Sequence, residues 1–194
     1  MKLSVLAVTA VLAMGAAGAA SAQSNQVTNP GPVIPGVCTF NQTRAVATSM
    51  VGQAMSARMQ QLADAVRAEL QPEGSAIEAE ANALGAAQAS LPADQFQQRA
   101  SALQQRLNAY QQLAAQREAE MQYTQNQQLV RVGEVMDPIL AEVYQERGCG
   151  LLFDRAAMFG ANPAMDISDR VIELLNQRLQ TLSFDRMPLP QQQQ

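Results

Sequence analysis

Two cysteines, Cys38 and Cys149, are the residues of this 194-residue chain whose type could support redox, nucleophilic or metal chemistry. Cys149 stands between two glycines in "ERGCGLLFDR", residues 146–155, just ahead of a short apolar run; Cys38 lies far upstream. Three readings follow: a reactive thiol, half of a metal site, or half of a disulfide. A reactive thiolate needs its pKa lowered by a C-x-x-C partner, a lysine or a histidine. The chain contains no C-x-x-C, no histidine at all, and a single lysine at Lys2. Two sulfurs without imidazole do not make a zinc site, and imidazole-based catalytic triads are excluded on the same ground. No catalytic, cofactor-binding or metal-binding residue is assigned, and the composition does not look like that of an enzyme.

The compartment bears on the cysteines. Lys2 supplies a positive start, "LSVLAVTAVLAMGAA" an apolar stretch, and Ala20–Ala22 a small-residue cleavage site. This is the pattern of a secretory signal peptide over 1–22, too short to read as a membrane anchor. Its style is bacterial, so the periplasm is the expected location, where disulfides persist. The formal net charge is −4 and rests on 17 acidic residues; with Lys2 removed, every remaining cation is an arginine. Such a balance argues against nucleic acid as a partner and makes strong binding to anionic membranes unexpected.

The rest of the chain reads as α+β, mostly α. "QSNQVTNPGPVIPG", 23–36, is a flexible Pro/Gly-rich leader. A short strand at 37–41 carries Cys38. Good helix formers then run from 42 to about 89, with a kink expected at "LQPEGS", 70–75. A turn near 90–92 leads into a second helix ending at about 147, with Pro92 and Asp94 in its first turn. Phe96, Leu103 and Tyr110 recur at seven, interleaved with Ala100, Leu107, Ala114 and Met121, which is an a/d seam. After Met121 the phase slips and resumes as Leu129, Val132, Met136, Ile139 and Val143. "CGLLFD" and "AAMFGAN" read as two short strands around a turn near Arg155. A last amphipathic helix is capped by Asp166 or Ser168 and buries Val171, Ile172, Leu174, Leu175, Leu179 and Leu182. Residues 183–194 read as a disordered tail. The units are therefore a small β/α body from 37–41 and 148–182, and a helical arm from 42–147.

Helices of similar length joined by a short turn pack antiparallel, which returns Cys149 to the neighbourhood of Cys38. The reading adopted is a structural disulfide. In the chain-entropy model, closing so long a loop stabilises by about 4.7 kcal/mol at most. A redox-active thiol and two unpaired thiols are the alternatives.

"VMDPILAEVYQERGCGLLFDRAAMFGANPAMDISDRVIELLNQRL", 135–179, resembles the C-terminal half of the OmpH/Skp family of periplasmic chaperones. Asp154 and the "DIS" at Asp166–Ser168 stand where that pattern has them, and "GVCTFNQTRAV", 36–46, resembles its first strand and arm. The resemblance implies a jellyfish-like homotrimer. Three small β bodies would form a base, and three helical hairpins (coiled-coil tentacles) would enclose a cavity. Unfolded outer-membrane β-barrel proteins would be the partners, held against aggregation without ATP or any cofactor.

Two features depart from that family. Its best-known members are strongly basic, whereas from Arg44 to Asp137 acids outnumber arginines here. Lipopolysaccharide or membrane contact is therefore not expected, and apolar contact is left as the main attraction. Met50, Met55, Met59, Met121 and Met136 on the arm suit either an adaptable binding surface or simple packing. The second departure is the cysteine pair. Two rival functions stand beside the holdase: a coiled-coil scaffold or adaptor of the cell envelope that holds no client, and a thiol oxidoreductase. No client-binding residue is assigned.

Overall fold

The computed structural model describes residues 31–190. The expected signal peptide, the leader up to residue 30 and the last four residues lie outside them. The elements are β1 (Val37–Phe40), α1 (Gln42–Thr48), α2 (Met50–Ala87), α3 (Ala93–Glu146), β2 (Leu151–Asp154) and α4 (Ser168–Arg178). The protein is mostly helical with one small sheet. At 1.5 Å per residue, the 38 residues of α2 span about 57 Å and the 54 of α3 about 81 Å.

The sheet pairs β1 with β2 in parallel, from Val37 opposite Leu151 to Phe40 opposite Asp154. Parallel pairing suits two strands joined by a long helical crossover. The expected strand "AAMFGAN" does not form. The Asp154 carboxylate accepts from Ala156 N at 2.8 Å and the Asn162 amide oxygen from Ala164 N at 3.0 Å. Each opens a single 3₁₀ turn, Arg155–Ala157 and Pro163–Met165. Such side-chain bonds compete with a strand ladder for the same backbone. Among the described residues, the other edge of β1 is met by a single bridge from Thr39 to Asp166, with Ile167 N donating to Thr39 O at 2.9 Å.

The first long helix is broken, though not at 70–75. The break lies at Ser49, which is extended (φ −69°, ψ 156°) and accepts from Gly52 N through its hydroxyl. A Cβ at Gly52 would stand 1.7 Å from the Val46 carbonyl oxygen, so glycine is what lets α1 cross the start of α2. Helix α2 continues without interruption through Pro72 and Gly74. Pro72 and Ala68, whose carbonyl loses its partner, are both exposed, so the missing bond strands nothing in the core. Glu69 and Glu73, on either side, are tied to α3.

Ion pairs lace α2 to α3: Glu80 with Arg99 at 2.8 Å, Glu73 with Arg106 at 3.0 Å, and Glu69 with Arg117 at 2.7 Å. Numbers fall along one helix as they rise along the other. Between them lies the thin seam, half-buried at Phe96, Leu103, Leu107, Tyr110 and Ala114. Beyond Met121 the buried row is Thr124, Gln128, Val132, Met136, Ile139 and Val143, while Leu129 is 39% exposed. The expected place of Leu129 in that row is thus corrected: Gln128 holds it.

The main core gathers Phe40, Ala45, Val51, the root of α3 and α4. Helix α4 buries Val171, Leu174 and Leu175, with Ile172 at the margin. Its N-cap is Ile167, so the expected cap at Asp166 or Ser168 is corrected. It ends at Arg178, and Leu179 and Leu182 pack on the core from beyond the helix rather than from its face. Asp166 accepts from Ser168 N at 2.8 Å, and the Ser168 hydroxyl accepts from Asn41 N at 2.8 Å, tying α4 to the end of β1. The stretch expected to be a disordered tail packs on the arm as far as Met187: Phe184 is buried and Met187 N donates to the Thr124 hydroxyl.

Candidate functional site

Cys38 and Cys149 form a disulfide with Cα atoms 5.7 Å apart. The backbone after α3 delivers Cys149 to its partner. Gly148, at φ +63°, donates to Gln145 O at 3.1 Å, and Cys149 N donates to Tyr144 O at 3.0 Å. These two bonds form a Schellman cap, which places glycine at the left-handed position. Gly150 N and Leu151 N then both donate to Gly36 O, at 2.6 and 2.9 Å, which starts the pairing with β1. Both cysteines are buried in the main core and neither carries a free thiol.

A second polar arrangement lies farther out, where Leu182–Met187 crosses α2 and α3. Phe184 enters an apolar cluster with Met55 and Leu62, flanked by Met59, Met121 and Leu182. Arg58 donates from Nε to Phe184 O at 3.0 Å and pairs with Asp185 at 2.7 Å. Arg186 bridges Glu69 at 2.8 Å and Glu120 at 3.2 Å, while Arg117 bridges the same two carboxylates at 2.7 and 3.2 Å. Two guanidiniums and two carboxylates therefore alternate, and charge is balanced although Glu120 is only 4% exposed. Hydrogen bonds from Arg117 and Arg186 hold the Glu69 carboxyl below its ordinary 4.5, and the bond to Glu69 raises Arg117. Met187 N donates to the Thr124 hydroxyl at 2.8 Å, and Gln128 Nε2 lies 3.8 Å from Met187 Sδ.

Two further surfaces are apolar. An open concavity of about 480 Å³ at the arm root is lined by Val46, Ala47, Gly52, Met55, Gln125 and Leu129, among others. On the body, Leu151 and Phe153 project from the same face of β2, exposed by 56% and 44%, and Phe159 is 98% exposed. Among the described residues no cluster of His, Cys, Asp and Glu is arranged to hold a metal, and no helix is long and apolar enough to cross a membrane.

The sequence reading found the cysteines and missed Glu69, Glu120, Thr124, Phe184, Arg186 and Met187. Two signals were available. Thr124 and Gln128 occupy seam positions where apolar residues belong, and Phe184, one of only five phenylalanines, sits in a stretch otherwise resembling a loose tail.

A family model described as "Outer membrane protein (OmpH-like)" matches residues 36–175. The chain is similar to a crystal structure from Caulobacter crescentus CB15 described as a candidate outer membrane chaperone, OmpH-like. The two are 41% identical, with a TM-score of 0.72, over 84% of this chain and 97% of that one. No curated protein sequence matches. The family match ends ahead of Leu182–Met187.

Proposed function

The chain belongs to the OmpH-like outer membrane protein family, and from that premise we propose that it is an ATP-independent holdase chaperone of the periplasm. Membership supports a chaperone role, and OmpH-like chaperones as a family are periplasmic. The finer reading is that unfolded outer-membrane β-barrel proteins are kept from aggregating in a cavity between helical arms. One observation carries it. Helices α2 and α3 run far beyond the main core, joined by exposed ion pairs and a seam that stays half-buried from Phe96 to Ala114. Helices packed only to fill a bundle would bury that seam. Helices meant to stand in solvent beside a mobile chain need not.

In this reading α2 and α3 form an antiparallel hairpin, 42–147, with its tip near 90–92. The strands, α4 and the loops of 37–41 and 148–182 form the body. The falling and rising numbers of the ion pairs support the hairpin. The outer edge of β2, unpaired among the described residues and with Leu151 and Phe153 exposed, supports assembly of bodies into a trimer, since such an edge seeks a partner. The Cys38–Cys149 disulfide then serves the body as a staple across the base of the arm. Residues 1–22 act as the cleaved signal peptide. A holdase works by contact and release and needs no catalytic group. With net negative charge, the arms would meet clients through apolar contact; the same charge excludes nucleic acid as a partner and disfavours contact with lipopolysaccharide.

The test dilutes a urea-unfolded outer-membrane β-barrel protein into buffer with and without this chain, following light scattering and the mass of soluble complexes. Suppressed scattering with one client per three subunits is expected. Unchanged scattering beside a folded oligomer would overturn the holdase and favour the envelope scaffold.

A further inference from the structure

We propose that the groove between α2 and α3 under Leu182–Met187 is a binding site for unfolded polypeptide segments that present an aromatic residue followed two positions later by a basic one. The chain's own Phe184 and Arg186 are seated there as a displaceable stand-in. The inference deepens the holdase reading and rests on it for the identity of the client.

The seated segment is neither helix nor strand, and it is held by groups that any polypeptide can offer. Thr124 takes a backbone N–H, from Met187, and Arg58 takes a backbone carbonyl, that of Phe184. Phe184 and Arg186 are the side chains seated deepest, while Asp185 pairs with Arg58 at the exposed rim. Phe184 sits among Met55, Met59 and Met121, unbranched thioether side chains that adapt to different apolar shapes. Arg186 completes a square of charge with Arg117, Glu69 and Glu120. With the segment withdrawn, Glu69 and Glu120 would share the one guanidinium of Arg117, leaving that end of the groove one charge negative and ready for another cation, while Arg58, parted from Asp185, would balance it at the other end. The polar seam residues acquire a purpose in this arrangement. Thr124 and Gln128 are buried polar groups on α3, and both reach Met187 of the crossing segment.

Release does not require unfolding. Helix α4 ends at Arg178, and Leu179–Thr181 carries neither helix nor strand, so the segment can swing away with the hydrogen bonds of α4 intact. Being tethered, it competes at high local concentration and lowers the apparent affinity for any outside segment by the fraction of time the groove is free.

The experiment uses the full chain, wild type and F184A/R186A, with a fluorescein-labelled peptide of residues 181–190 (TLSFDRMPLP) as probe and fluorescence anisotropy as readout. Circular dichroism checks folding, and R186Q alone, which keeps Phe184, is the fallback variant. The peptide is expected to bind the released variant at least about tenfold more tightly than wild type. Binding should vanish when Glu69→Gln and Glu120→Gln are added, or when Phe and Arg of the peptide become Ser and Gln. An unfolded β-barrel protein should displace the bound peptide. Equal or absent binding to both chains overturns the proposal, as does a bound peptide that the client leaves in place. Peptide capture by a chain that suppresses no aggregation would keep the groove and overturn the holdase reading alone.

Discussion

Met187 and Thr124, 63 positions apart, are joined by a hydrogen bond of 2.8 Å from the Met187 backbone N–H to the Thr124 hydroxyl. The same hydroxyl donates to Glu120 O at 2.7 Å, so one buried oxygen serves the helix and the segment crossing it. Thr124→Val keeps the shape and leaves the Met187 N–H without its acceptor. A loss of about 1 kcal/mol is expected in urea unfolding, with a larger relative change in amide exchange at Met187. Unchanged exchange there would mean that Thr124 does not hold the segment.

Acid should loosen the same junction. Glu69 is held below its ordinary 4.5 by hydrogen bonds from Arg117 and Arg186, and Glu120 faces both of those arginines. A lowered carboxyl contributes stability that is full above its unfolded value and is lost as pH falls through the folded one. The Tm gap between wild type and Glu69→Gln should therefore be constant near neutrality and shrink below about pH 4.5. A gap independent of pH would assign the effect to packing. Arg117, raised by the bond to Glu69, stays charged throughout and leaves the sign unchanged.

The disulfide closes a loop with a sequence separation of 111 residues. Replacing Cys38 and Cys149 together by serine should cost about 2–4 kcal/mol, seen as a lower urea midpoint, and leave client holding intact. Without reductant, thiol titration of the wild type should find no free thiol; finding two would remove the staple. Loss of holding in a folded double mutant would return a functional role to the thiols.

What could be read from the sequence follows the strength of each local signal. The apolar stripe of α4 and the run of good helix formers were plain, because their periods extend over several turns. The return of Cys149 to Cys38 followed from helix lengths alone. The break at Ser49 was hidden since "TSMVG" lies in an otherwise continuous helical composition, and only the approach of Val46 to Gly52 reveals it. Pro72 does not end α2, because the donor it lacks and the Ala68 carbonyl it strands are both exposed. "AAMFGAN" lost to the turns begun by Asp154 and Asn162. The groove was the least legible part: its pairs link Glu69 to Arg186 and Thr124 to Met187, and no local period reports contacts that distant.

Two glycines of α2 should respond in opposite senses to the same change. Glycine inside a helix ordinarily costs about 0.5–1 kcal/mol relative to alanine. A Cβ at Gly85 meets nothing within 4 Å, so Gly85→Ala should raise stability by about that amount. At Gly52 the added Cβ would fall 1.7 Å from the Val46 carbonyl oxygen and 2.7 Å from its carbon. These are backbone atoms and cannot swing aside, so α1 would have to move off α2, drawing Ala45 and Val46 from the core that they share with Val51. Gly52→Ala is therefore expected to destabilise by about 2 kcal/mol or more. Urea unfolding of the two variants side by side checks the pair. If both gained stability, the crossing of α1 over α2 would not be as tight as its geometry requires.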